Sequence, residues 1–192
     1  MAFANIYKEL GVPHLIASRP EQLLGATRVI LPGVGAFDQA MTRLERSGMR
    51  ARLEELAQVE RAPVLGVCVG MQILMKGSEE GAIQGLGWIE GDVVKFRPSP
   101  EVPDLQVPHM GWNEAIPRAS TGLFAGLDDS SLFYFLHSYH VRVADDRDVL
   151  AESDYGARFV CAVGRGNIYG VQFHPEKSHH AGVQLLKNFA AL

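Results

Sequence analysis

A cysteine stands between two glycines at the end of an apolar run. Gly66-Val67-Cys68-Val69-Gly70 follows Ala62-Pro63-Val64-Leu65 and precedes Met71-Gln72-Ile73-Leu74-Met75-Lys76. Few architectures accommodate that order. A short apolar run bounded by turn signals reads as a buried strand, and the run after Gly70 reads as a helix start. G-x-C-x-G between the two is the thiol form of the nucleophile elbow, which lifts the reactive atom out at the carboxyl end of a sheet. The turn leaves no room for side chains beside the nucleophile, hence glycines at 66 and 70. The adjoining helix N-terminus adds partial positive charge that favours thiolate. Taken alone, a free cysteine near a strand end is usually a small buried hydrophobe. Cys161, inside an apolar strand with no elbow, takes that reading.

The rest of the chain agrees with a sheet of this kind. Residues 3–10 read as the tail of an amphipathic helix stopped by Gly11. Residues 13–17 and 28–31 read as strands, and a helical pattern covers 37–59 with a break near Gly48. Strand, helix, strand in that order predicts a parallel, doubly wound sheet with helices on both faces. From about residue 87 to 169 the texture changes to short strands at 93–96, 132–136, 139–143 and 149–151. Strands at 159–163 and 167–173 are joined by the hairpin-like Gly164-Arg165-Gly166. This half is expected to be mainly antiparallel and joined to the parallel sheet at one edge. A helix over 182–191 closes the chain, and the Pro-rich stretch 97–103 reads as a surface loop.

The length of 192 residues with 47% hydrophobic content suffices for one full core, and residues 1–192 are expected to form a single domain. The net charge of −4 is interspersed, which argues against nucleic-acid and membrane-surface partners. No apolar run approaches the roughly 20 residues that span a bilayer, and Met1-Ala2-Phe3-Ala4-Asn5 does not open like a secretory signal. Two cysteines in dissimilar contexts make a poor disulfide framework, so a reducing, cytoplasmic setting is expected.

Downstream, Gln172-Phe173-His174-Pro175-Glu176-Lys177-Ser178 supplies an imidazole and a carboxylate two residues apart. Residues two apart in an extended segment share a face. Glu176 can therefore accept from one ring nitrogen of His174 and leave the other for sulfur. Cys68, His174 and Glu176 then form the nucleophile, base and orienting group of an acyl-transfer triad. Pro32-Gly33-Val34-Gly35 follows a strand, and its length and sequence do not fit a phosphate loop. Beside a cysteine nucleophile its backbone N–H groups suit an oxyanion hole, paired with the N–H of Val69. His109, His137, His140, His179 and His180 do not have the spacing of a closed tetrahedral metal site, so neither metal nor cofactor is expected.

Five segments in this order resemble class I glutamine amidotransferases, and more narrowly the glutaminase subunits of imidazole glycerol phosphate synthases. They are Leu31-Pro32-Gly33-Val34-Gly35-Ala36-Phe37, Gly66-Val67-Cys68-Val69-Gly70-Met71-Gln72, Pro108-His109-Met110-Gly111-Trp112-Asn113, Tyr134-Phe135-Leu136-His137-Ser138-Tyr139, and the segment from Gly170 to Ser178. The resemblance implies a flavodoxin-like α/β fold with a mixed sheet. It implies hydrolysis of glutamine to glutamate and ammonia through a γ-glutamyl thioester on Cys68. Gly33, Val34, Gly35, Val69, Gln72, Ser138 and Tyr139 would hold glutamine or shape the oxyanion hole. Trp112, Tyr134 and Lys177 would face a (β/α)₈ cyclase subunit in a heterodimer, to which ammonia is passed out of contact with water.

Members of that family usually open with a further apolar strand and an Asp-Tyr-Gly-x-Gly-Asn-like loop, whereas Met1 here corresponds to the following helix. The resemblance therefore implies an open apolar sheet edge. Gly85-Leu86-Gly87-Trp88-Ile89 and Lys177-Ser178-His179-His180 resemble a paralogous group that feeds ammonia to surface-aminosugar synthesis. That acceptor, an idle scaffold and a free-standing cysteine hydrolase are the competing readings.

Overall fold

The computed structural model describes residues 2–192. Strand β1 (Val29–Gly33) runs parallel to β2 (Val64–Cys68), and β2 runs parallel to β11 (Ile168–Val171). The next strands are antiparallel: β10 (Arg158–Arg165) pairs β11, then β8 (Tyr139–Val143) pairs β10, and β4 (Gly91–Lys95) pairs β8. The short β3 (Gly77–Ser78) closes that edge, while β9 (Val149–Asp154) also pairs β10 and carries β6 (Ile116–Pro117). A separate two-stranded ribbon is built from β5 (His109–Glu114) and β7 (Leu132–His137).

The helices are α1 (Ala2–Glu9), α2 (Phe37–Arg46), α3 (Arg50–Glu54), the single turn α4 (Val69–Gln72) and α5 (His179–Ala191). Gly48 separates α2 from α3 at φ +70°, a conformation that costs a side-chain-bearing residue more than glycine. A π-helical turn, Glu55–Val59, continues α3. Tyr169 of β11 meets Phe189 of α5, and a Cβ on Gly170 would meet Met71 of α4. Successive strand residues point to opposite faces, so helices cover both sides of the sheet at β11. All five residues of β2 are consequently buried, and its sequence is a continuous apolar run without alternation. Helix α1 is tied to α5 by the Tyr7 hydroxyl, which donates to the Leu186 carbonyl.

Two expectations fail in instructive ways. The sequence predicts a strand at residues 13–17, but the backbone there pairs with nothing among the described residues, and Leu15 and Ile16 are 62% and 52% exposed. A β-branched or apolar cluster becomes a strand only beside a partner ladder, and none lies alongside. Conversely, the sequence does not predict β5. His109-Met110-Gly111-Trp112-Asn113-Glu114 lacks strong strand propensity, and only its pairing with β7 makes it extended.

Candidate active site

Cys68 ends β2 at φ 55°, ψ −114°, outside the conformations that side-chain-bearing residues favour. Such strain, of order 1–3 kcal/mol, persists because the neighbouring backbone is locked on both sides. A Cβ on Gly70 would lie 1.8 Å from the Leu31 carbonyl oxygen. One on Gly33 would lie 2.3 Å from the Gly70 nitrogen, and one on Gly66 2.5 Å from the Gly70 oxygen. The elbow and the end of β1 therefore touch backbone to backbone. That contact carries β1 directly into the loop Pro32-Gly33-Val34-Gly35 beside Cys68. The helix after the elbow is only four residues long, so its dipole is a small part of the one expected.

His174 follows β11 and caps the single 3₁₀ turn Pro175–Lys177 that carries Glu176, so the segment is not extended as the sequence suggests. His174 Nδ1 donates to Glu176 Oε1 at 2.9 Å, which leaves Nε2 for the reacting groups. The imidazole is buried, and burial opposes its protonation. Hydrogen bonding to Cys68 and Glu176, with the charges of both, outweighs burial and pushes His174 up to about 9. Glu176 Oε2 is buried with no hydrogen-bond partner among the described residues, so His174 is the main partner of that carboxylate. Cys161, by contrast, is fully buried and its thiol is driven far upward by burial.

Cys68 and His174 line a common cavity of ≈ 320 Å³ together with Val34, Gly35, Val69, Gln72, Ser138, Tyr139 and Lys177. That volume fits one amino-acid-sized ligand. Gly33 is not at the cavity surface but behind it, packed on Gly70. Glu176 stands behind His174, while Trp112 and Tyr134 lie outside. Four lining residues were not expected in the site: Pro108, Leu136 and His137, which lie in the resembling segments without an assigned role, and Glu80, which lies in none of them. Glu80 Oε2 accepts from the Phe37 N–H at 2.8 Å. It so pins the start of α2, and with it the glycine loop, and it presents a carboxylate suited to an α-ammonium group. No spacing could reveal this, because the contact spans 43 residues.

His137 forms the cavity wall through a defined hydrogen-bond chain. Its Nδ1 donates to the Tyr139 carbonyl at 2.8 Å, so its Nε2 accepts from His109 Nδ1 at 3.1 Å. His109 stacks on Phe135 and Tyr155. Burial pushes His109 down to about 4 and is the largest cause pushing His137 down to about 3. Both rings are thus neutral spacers.

The β5–β7 ribbon has two unlike faces. Phe133, Phe135, His137 and His109 point inward and are buried, whereas Met110, Trp112, Leu132 and Leu136 are exposed. Trp112 and Tyr134 are directly opposite in the register, with ring centroids 5.9 Å apart, and the Lys177 ammonium lies 5.6 Å from the Tyr134 ring. His179 stacks on Trp112 at 5.0 Å. The same strand reaches the segment from His174 to Ser178. The Tyr134 carbonyl accepts from the His174 N–H at 2.8 Å, and the Tyr134 N–H donates to Ser178 Oγ at 3.0 Å.

The model of the family "Glutamine amidotransferase class-I" matches residues 13–191. The chain belongs to the class I glutamine amidotransferases. Among its relatives is "Imidazole glycerol phosphate synthase subunit HisH" of Bdellovibrio bacteriovorus, 53% identical over 191 residues that cover 100% of this chain and 94% of that one. The protein of the same name in Leptospira interrogans is 50% identical with the same coverage. A solved structure of a glutamine amidotransferase shares the fold with a TM-score of 0.72, covering 100% of this chain and 93% of that one at 19% identity. Among the described residues no helix is long and apolar enough to cross a membrane.

Proposed function

We propose that this glutamine amidotransferase is the glutaminase subunit of an imidazole glycerol phosphate synthase. It hydrolyses glutamine with Cys68, His174 and Glu176 and passes the ammonia to a (β/α)₈ cyclase subunit docked on the β5–β7 ribbon. Cys68 attacks the γ-carboxamide, and the amide oxygen meets N–H groups of Val69 and of the Pro32–Gly35 loop. The imidazolium of His174 protonates the departing nitrogen. His174, now neutral, takes a proton from the water that cleaves the γ-glutamyl thioester. The Glu80 carboxylate receives the substrate's α-ammonium, and Gln72, Ser138 and Tyr139 border the rest of the molecule. The names of the relatives that are 50–53% identical over the whole chain support histidine biosynthesis as the destination of the ammonia.

The observation that carries the reading is the linkage from the exposed ribbon to the base. Tyr134 presents its ring on the outer, apolar face, while its backbone holds the His174 N–H and Ser178 Oγ. Lys177 both lines the cavity and lies against the Tyr134 ring. A partner seated on Trp112 and Tyr134 would act on His174 through one strand. Exposed apolar residues gathered on one ribbon face are what an interface needs. The test is glutamine hydrolysis with and without the cyclase subunit. Hydrolysis should be slow alone and stimulated by the partner. Trp112→Ala should weaken complex formation and stimulated turnover while basal hydrolysis is nearly unchanged. Full stimulation in that variant, or maximal hydrolysis without any partner, refutes the docking face.

A further inference from the structure

Gln172 is fully buried at the end of β11, and its side chain is aimed at the nucleophile. Its Nε2 lies 3.7 Å from Cys68 Sγ. The orientation of that amide is decided by its neighbours. Gln72 Nε2 sits 3.1 Å from the Tyr139 carbonyl, which can only accept, so the nitrogen end of the Gln72 amide must face that way. The same nitrogen lies 3.0 Å from the Gln172 side chain, and the group it meets there must also be an acceptor. Gln172 therefore turns Oε1 to Gln72 and its NH₂ to the sulfur.

We infer that Gln172 is a further catalytic residue, an amide donor that stabilises the Cys68 thiolate, and that Gln72 is the positioning residue that keeps the donor end facing sulfur. This rests on Cys68 being the nucleophile. An N–H aimed at sulfur favours the anion over the thiol, because hydrogen bonds to a charged partner are about twice as strong as neutral ones. The arrangement has no rotational slack: a reversed Gln172 amide would set its oxygen against the thiolate and its NH₂ against the NH₂ of Gln72. It also gives the buried Gln72 side chain a role besides bordering the substrate.

The test is the rate of iodoacetamide alkylation of the full-length chain as a function of pH, read at Cys68 by peptide mapping, with Cys68→Ala as the blank. Alkylation needs no glutamine, so substrate binding does not enter. Gln172→Met, which keeps the volume and removes the donor, should alkylate on the order of ten-fold more slowly at pH 7. The difference between the two proteins should close as the pH is raised. Gln172→Glu should be slower still at pH 7. Gln72→Leu should cause a smaller loss and add nothing on the Gln172→Met background, since it acts only through that amide. Equal rates at pH 7 in Gln172→Met and the unmodified protein overturn the proposal, as does full additivity of the two substitutions. Should Gln172→Met not fold, Gln172→Glu and Gln72→Leu decide the matter by the same pH readout. A Cys68 that is no more reactive than Cys161 in the unmodified protein would overturn the nucleophile assignment itself, a different and separable result.

Discussion

Replacing Gly70 by alanine should separate positioning from substrate contact, because Gly70 reaches the chemistry only through backbone. The new methyl carbon would sit 1.8 Å from the Leu31 carbonyl oxygen and 2.9 Å from the Leu31 carbonyl carbon. Ordinary contact begins at 3.4 Å, so 3.4 − 1.8 = 1.6 Å of separation must be found. Neither partner is the free end of a flexible side chain. Leu31 is held in β1 opposite Gly66 of β2, and Gly70 belongs to the turn that presents Cys68. The strain comes out as a shift of β1 and its loop, or of the elbow. Overpacking of this sort costs about 1–3 kcal/mol of stability. A shift beyond 1 Å between the oxyanion donors and the sulfur costs on the order of 10² in rate. Gly122→Ala is the control: its φ is +56° with nothing within 4 Å, so it should cost about 1 kcal/mol and leave turnover alone. The assay is partner-stimulated glutamine hydrolysis alongside thermal unfolding. If Gly70→Ala keeps wild-type turnover and melting temperature, the backbone contact between β1 and the elbow does not set the site's geometry.

Cys68→Ala should abolish hydrolysis with an unchanged far-UV spectrum, and a glutamine-like electrophile should label Cys68 and leave the buried Cys161 untouched; labelling of both at one rate contradicts the assignment. Glu176→Gln should slow hydrolysis by about 10–10²-fold and His174→Ala by about 10³–10⁴-fold, since in the proposed mechanism Glu176 orients the ring while His174 carries the proton; equal losses would mean that the carboxylate does more than orient. His174 is pushed up to about 9 in the fold against about 6.5 unfolded. Its contribution to stability is therefore complete below about pH 6.5 and lost as pH rises through about 9. His109 and His137 are pushed down to about 4 and about 3, so theirs is present above about pH 6.5 and lost as pH falls towards those values. The melting temperature should peak near neutrality, and His174→Ala should remove the decline on the alkaline side; an identical alkaline decline in that variant would refute the coupling.

The parts of this protein that were legible in its sequence are those whose causes are local. The apolar run into Gly66-Val67-Cys68-Val69-Gly70 dictates a buried strand and a turn, and the glycines near 165 signal the β10–β11 hairpin, although its turn is Gly166-Asn167 and Gly164 and Arg165 still belong to β10. His174 and Glu176 do meet at hydrogen-bond distance, but through the 3₁₀ turn Pro175–Lys177 and not through the extended segment that their two-residue spacing suggests. What tertiary structure alone decided involves partners far apart along the chain. Residues 13–17 have the composition of a strand but no neighbour to pair with among the described residues, whereas β5 has a poor composition and a neighbour that makes it one. Gly33 belongs with the glycine loop by sequence, yet its space is set by Gly70. Glu80 and Gln172 carry no local signal, because Phe37, Gln72 and Cys68 reach them only after the sheet has assembled. A short-range pattern specifies the conformation of a segment. Which backbone amide or sulfur a side chain meets depends on how strands distant in sequence come to lie side by side.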